Sequence, residues 1–227
     1  MSRTEHGTAA APTDTDHLET KGGQFFARYY DALTKLAEDR WAGRLREAAI
    51  GGLTGRVLEV GAGFGANLPY YRSASELVAL EPSSEMLRQL RAHRDQSPVP
   101  VEIVDGAAEE LPFPDASFDA VVTTLVLCSV SDLPLALAEI KRVLKPGGRL
   151  AFIEHVRADG LMGHFQDLVA PLWRRLALGC NANWRIAEAV RAAGYHVEVH
   201  ETLRPWPRYP ANAPYIRATA RPVEGEE

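Results

Sequence analysis

The chain has 227 residues, 46% of them hydrophobic and 24% charged, with a formal net charge of −5. That is globular composition at about the length of one domain, enough to bury roughly 70% of the unfolded surface without staples. The negative charge argues against a nucleic-acid binder that works by bulk electrostatics. Two cysteines, Cys128 and Cys180, cannot build a disulfide framework and suit a reducing cytosol, and no apolar run of about eighteen residues offers a membrane span.

Residues 1–23 are rich in Thr, Ala, Gly and Asp, lack an apolar period and read as a disordered lead. His6, Asp14, Asp16 and Glu19 give that lead the wrong chemistry for a secretion signal, so a cytoplasmic location is expected. One folded unit is expected over 24–222. Phe25, Phe26, Tyr29, Tyr30, Leu33 and Leu36 recur at helical spacing, and a second helix runs from Trp41 to Ile50 before Gly51 and Gly52. Strand and helix then alternate. Strands are predicted at Arg56–Val60, Glu76–Leu80, Val101–Val104, Phe118–Thr124 and Arg149–His155. Helices are predicted through Leu68 to Tyr71, from Ser83 to about Arg94, and from Leu133 to Leu144. Apolar strands alternating with helices predict an α/β fold, a parallel sheet covered on both faces. Beyond it, Phe165, Leu168, Val169, Leu172, Trp173 and Leu176 form a helical stripe within a helical cap insertion at about 160–182. Such a stripe most often packs in a core; here it could also cap a cleft. A helix at Arg185–Ala193 and strands at Tyr195–Leu203 and Pro214–Ala220 complete the chain.

The first strand ends in Glu59-Val60-Gly61-Ala62-Gly63-Phe64-Gly65. Glycines there let backbone approach a ligand closely, although dinucleotide enzymes share the feature and a plain tight turn is the bland alternative. Glu81 ends the second strand 20 residues after Gly61, where an acid can accept both hydroxyls of a ribose. It could instead interact with the dipole of the helix from Ser83. This pair does not separate NAD from S-adenosylmethionine.

Four further features do. Glu59 precedes the first glycine, where a carboxylate can help orient the cationic amino-acid end of S-adenosylmethionine. Asp105 to Phe113 is a small-residue loop that can cover an adenine edge. Asp115 to Val122 leads into the fourth strand, and Leu144-Lys145-Pro146-Gly147-Gly148-Arg149-Leu150 opens the fifth. With these, Phe25 to Ala220 resembles the class I S-adenosylmethionine-dependent methyltransferases. The resemblance implies a Rossmann-like seven-stranded sheet in the order 3-2-1-4-5-7-6, strand 7 antiparallel, with helices on both faces and an N-terminal helical lid. It implies S-adenosylmethionine as cofactor and S-adenosylhomocysteine as product. It places Gly61, Ala62 and Gly63, with Asn67 beyond them, at the methionine part, and Glu81 with Pro82 at the ribose. Met86 would pack on an adenine face, and Gly106, Ala107, Ala108 and Glu109 would border its edge. Thr124 and Leu125 would sit beside the sulfonium, and Tyr30 would fold over as a lid unless it is a plain core residue.

Thr124 to Val130, Glu154-His155-Val156, Trp173 with Gly179-Cys180-Asn181, and Arg208-Tyr209-Pro210 before Tyr215 are similar to a narrower group, the methyltransferase-like 7 proteins. That group implies transfer of a methyl to a thiol of a small molecule, a xenobiotic or a natural-product intermediate. Those relatives start with a hydrophobic anchor that is not seen here, so no stable membrane insertion is expected. The other readings are methylation of oxygen, nitrogen or carbon on a small metabolite or lipid headgroup, a nicotinamide oxidoreductase, and a non-catalytic cofactor-binding module.

Methyl transfer from a sulfonium is an in-line displacement, so aligning the reactants carries much of the rate. Cys128 reads as a soft pocket wall near the methyl group, or as a small buried hydrophobe. His155 is the histidine at the C-terminal end of a predicted strand, where α/β sheets put their ligands. It is the candidate proton acceptor or orienting donor, and its alternative is a strand-end hydrogen bond. Trp173, Trp184, Trp206 and Tyr215 are the candidate acceptor walls. No metal ligands are read from the sequence.

Overall fold

The structure, a computed structural model, describes residues 42–176, 179–204 and 213–223. The lead over 1–23, the aromatic helix with Tyr30, and Trp206 lie outside the described residues, as does Arg208-Tyr209-Pro210.

Seven strands form one sheet in the order β3-β2-β1-β4-β5-β7-β6. They are β1 (Gly55–Val60), β2 (Ala74–Glu81), β3 (Val101–Asp105), β4 (Phe118–Thr124), β5 (Leu144–His155), β6 (Tyr195–Leu203) and β7 (Tyr215–Pro222). The first five pair in parallel, and β7 runs antiparallel to both β5 and β6. The sheet is thus the Rossmann-like arrangement expected from the resemblance.

Successive side chains on a strand face opposite ways, so a strand covered on both faces sends apolar side chains into both cores. β1 shows this. Val57 joins one core with Ile50, Leu77, Ala79, Leu90 and Val122, beneath α1 (Gly43–Ile50) and α2 (Ser84–His93). Leu58 joins the other with Val78, Leu80, Val121, Ile140 and Phe152, beneath α3 (Leu133–Val143) and α5 (Ile186–Ala192). Local signals set the helix starts: the Ser83 hydroxyl accepts from Met86 N, and the Asp132 carboxylate accepts from Leu135 N with proline in the first turn of α3.

Two elements differ from the sequence expectation. β5 begins at Leu144, not Arg149. Its register with β4 jumps from Phe118↔Leu144 to Ala120↔Arg149, so Lys145-Pro146-Gly147-Gly148 is an irregularity inside the strand. The larger difference is α4 (Gly160–Leu176). Leu168 is 78% exposed and Leu172 62%, with Phe165 also exposed, so these three members of the apolar stripe face outward rather than into a core. The buried side of α4 instead carries Gly163 and Gln166. Gln166 is there for its hydrogen bonds: it accepts from Ala158 N and donates to Ala182 O. None of the helices among the described residues is long and apolar enough to cross a membrane.

Candidate active site

The C-terminal ends of β1, β2, β4 and β5 meet at one edge of the sheet, where open α/β folds bind their ligands. Gly61, Gly63 and Gly65 all take positive φ, at 66°, 58° and 96°. A Cβ at Gly61 would stand 2.5 Å from Val126 Cγ2, whereas one at Gly63 would meet nothing within 4 Å. The loop is therefore tight against protein at its first glycine and open at its second. Ala62 N donates to Leu80 O and Gly63 N donates to Glu81 Oε2, at 3.0 and 2.8 Å. Glu81 Oε1 accepts from Ser83 N at 2.9 Å. Glu81 is buried and its carboxyl is raised above the ordinary carboxylate range, mainly by that burial. Each of its oxygens keeps lone-pair capacity beyond these bonds, enough for a vicinal diol.

Beneath the loop lies a buried polar network. Asn67 Nδ2 donates to Glu59 Oε1 at 2.7 Å and to Thr124 Oγ1 at 2.9 Å, and Tyr71 OH donates to Glu59 Oε2 at 2.8 Å. Arg46 donates to Asn67 Oδ1. Glu59 thus braces the loop from below. Sequence reading identified Glu59, Asn67 and Thr124, but missed Arg46 and Tyr71, which look like ordinary helix and turn residues in isolation.

Burial pushes the Glu59 carboxyl up to about 7, despite the hydrogen bonds from Tyr71 and Asn67. An acid whose folded value lies above its unfolded one favours folding at low pH. That contribution is fully present below the unfolded value near 4.5 and is lost as pH rises through about 7. Glu81 acts in the same direction. Glu59→Gln is therefore expected to gain stability relative to the parent chain between pH 5 and pH 8, by on the order of 3 kcal/mol. Urea unfolding of both chains at the two pH values checks this. A difference that stays constant, or reverses, contradicts it.

After β4 the backbone turns at Leu125, which holds a left-handed φ of 61° and donates its N–H to Ile153 O. Such a conformation in a non-glycine residue is uncommon and tends to mark functional sites. The next three N–H groups, of Val126, Leu127 and Cys128, all point at the fully buried carboxylate of Glu154, at 3.0, 2.9 and 3.4 Å. Burial raises that carboxyl to about 7 against these bonds. Glu154 is occupied as a scaffold.

His155, half-buried, follows. Its ring lies 4.3 Å from the Tyr215 ring, its register partner on β7. Its Nδ1 stands 3.9 Å from Cys128 Sγ and 3.7 Å from Cys180 Sγ, and the two sulfurs are 3.5 Å apart. Cys180 ionises first: the Cys128 thiol and then His155 hold it well below the usual thiol range, against its own burial. The Cys128 thiol is pushed up by Cys180, by burial and by the Glu154 charge. Trp173 packs on the two cysteines together with Ala182 and Ala213. Sequence reading singled out Cys128 and His155; that Cys180 stands against both was not legible, because the three lie on separate segments.

Pro82 and Gly106 are half-buried, Met86 and Ala108 are buried, and Ala107 is exposed. Glu109 turns its carboxylate to Ser131 N, Ser131 Oγ and Asp132 N, which anchors the start of α3. Trp184 is displaced from its expected place in the acceptor wall: its side chain packs on the core beneath α3 and α5 and borders the surface groove between those helices. Trp173 and Tyr215 lie beside Cys128 and His155, and Tyr30 and Trp206 are outside the described residues.

The residues present suit S-adenosylmethionine. A buried carboxylate with spare acceptor capacity faces an amide of a glycine turn, and the space above Gly63 is one that a side chain would enter. Gly61 to Gly63, Glu81 and Leu125 are the residues that would hold it.

The comparisons agree with this geometry. A family model described as a methyltransferase domain matches residues 58–152. Human thiol S-methyltransferase TMT1A is 30% identical over 184 residues, 76% of this chain and 75% of the relative. Demethylmenaquinone methyltransferase of Renibacterium salmoninarum is 35% identical over 179 residues, 78% of this chain and 70% of the relative. The structure of a DhpI–SAH complex superposes with a TM-score of 0.63 at 22% identity, covering 92% of this chain and 97% of that one, a likeness of fold. A glycine turn answered by a buried acid, on a sheet of this order and with relatives of this coverage, makes the chain a member of the class I S-adenosylmethionine-dependent methyltransferases, close to the TMT1 group.

Proposed function

We propose that the chain methylates a thiol carried by a small molecule. The observation that carries this reading is the shortage, among the described residues, of strong bases at the C-terminal ends of β4 and β5. Glu154 is spent on three backbone N–H groups, and His155 is the only histidine among the described residues that ends a strand. Hydroxyl acceptors demand a strong base. An alkyl thiol, with a pKa of roughly 8.5, is already a few per cent thiolate near neutrality. The human thiol S-methyltransferases TMT1A and TMT1B, 30% and 32% identical to this chain, support the same acceptor chemistry.

When bound, the cofactor supplies an electrophilic methyl on a sulfonium. The chain's contribution is placement and exclusion of water. Gly61 to Gly63 and Glu81 fix one end of the cleft. Leu125 and Val126, tied down through Ile153 O and Glu154, set the wall between the cofactor loop and the acceptor. Trp173, Cys128 and Tyr215 give the acceptor side an apolar lining suited to a small ligand. His155 orients the acceptor thiol or takes its proton.

A second reading, transfer to oxygen, nitrogen or carbon, draws support from the relatives that act on demethylmenaquinone and phosphatidylethanolamine. Incubation with methyl-labelled cofactor and an alkyl thiol, a phenol, an amine and a quinol separates them. Label is expected in the thioether. Label in another acceptor, with the thiol unmodified, moves the assignment to the second reading.

A further inference from the structure

Cys128 follows β4, His155 ends β5, and Cys180 lies beyond α4, yet their ligating atoms all stand within 4.8 Å of one another. The three edges of this triangle are 3.5 Å between the sulfurs and 3.9 and 3.7 Å from the sulfurs to Nδ1. A tetrahedral zinc ion with Zn–S of about 2.3 Å and Zn–N of about 2.0–2.1 Å requires edges of about 3.8 Å between sulfurs and about 3.5–3.6 Å between sulfur and nitrogen. Every edge observed lies within about 0.4 Å of the corresponding value. We propose that Cys128, His155 and Cys180 form a preorganised three-ligand site for zinc, with the fourth coordination position open to an exogenous thiolate.

The donor chemistry selects the ion. Two thiolates and an imidazole suit a soft or borderline cation and are wrong for magnesium or calcium, which take oxygen ligands. A Cys₂His set that leaves one position open is the arrangement of catalytic rather than structural zinc.

The surroundings hold the ligands in place, as supporting groups around metal sites do. Asn181 donates to Cys128 O from both its backbone N and its Nδ2, at 2.7 and 3.2 Å, and so fixes the distance between the two cysteine segments. Glu154 holds the Cys128 amide, and Tyr215 lies against the imidazole.

Both β4 and β5 deliver their ligands to the edge of the sheet that carries the glycine turn. A thiol coordinated there would release its proton to solvent, so zinc would hold the acceptor as a thiolate without a general base and His155 would serve as a ligand; the thiolate sulfur would take the methyl as the cofactor's sulfonium carbon–sulfur bond breaks, the neutral thioether and S-adenosylhomocysteine then leaving. That role rests on the proposed thiol acceptor; the binding of zinc does not.

The test uses the full chain, reduced with a non-thiol reductant and stripped with a chelator. Zinc alone is titrated against a chromophoric chelator, and cobalt is then substituted for absorption spectroscopy. One equivalent per chain is expected, with thiolate-to-cobalt charge-transfer bands and the strong d–d bands of a tetrahedral site. Cys180→Ser is expected to weaken zinc at least 100-fold while changing S-adenosylhomocysteine affinity less than threefold. Adding an alkyl thiol should shift the cobalt bands. Absence of stoichiometric zinc, or cobalt spectra without thiolate bands, overturns the site, and these readings stand even if the variant does not fold. Equal zinc affinity in a folded Cys180→Ser chain overturns it as well, and bands that ignore the thiol overturn the open position. Thiol turnover by a chain that binds no zinc would remove this inference and keep the proposed acceptor; zinc binding without thiol turnover would do the reverse.

Discussion

Glu81→Ala is expected to weaken S-adenosylhomocysteine binding at least about 100-fold. Hydrogen bonds to a charged group contribute about 1.5–3 kcal/mol each, and two ribose hydroxyls would lose theirs together. The glycine turn also loses the acceptor of Gly63 N, and the turn into α2 loses that of Ser83 N. Folding is expected to survive, because the substitution also removes a buried carboxylate that desolvation already penalises. Titration calorimetry, with thermal unfolding as the control, reads both effects. Glu81→Gln should fall between the two chains, since an amide accepts on one oxygen only. Affinity within threefold of the parent chain would contradict the assignment of Glu81 to the ribose.

Two glycine substitutions two residues apart should fail in different ways. Gly61→Ala carries the left-handed backbone penalty and drives a methyl into Val126, a stiff β-branched neighbour at 2.5 Å. Its cost is expected in stability, about 3 kcal/mol from backbone strain plus overpacking. Gly63→Ala carries the backbone penalty alone, about 1–2 kcal/mol, because its Cβ enters open space. If that space belongs to the cofactor, Gly63→Ala stays folded and loses more than tenfold in S-adenosylhomocysteine affinity. Urea unfolding ranks the two stabilities and calorimetry the two affinities. A Gly63→Ala chain that binds as the parent does would show that the opening is not the cofactor's.

The sheet and the glycine turn were legible because their signals are local. Unbroken apolar runs such as Leu77 to Leu80 announce strands buried on both faces, and Glu81 follows Gly61 at a readable distance. The antiparallel β7 came from family resemblance, since alternation of side chains carries no strand direction. Periodicity misled at α4. It reports that a helix has an apolar side, but not whether anything covers it; Gln166 sits on the buried side while Leu168 faces out. Trp184 was misplaced because a large aromatic fills a core as readily as it walls a cleft. The Glu59 network and the Cys128–His155–Cys180 triangle join residues from distant segments, and only the fold brings them together.

A crystal structure with S-adenosylhomocysteine would locate nucleoside and sulfur independently. Both ribose hydroxyls are expected on the Glu81 carboxylate, the amino-acid portion along Gly61 to Gly63, and the sulfur facing Leu125 on the side toward Cys128 and His155. A ribose held by other residues, or a sulfur turned away from Cys128 and His155, would contradict this placement.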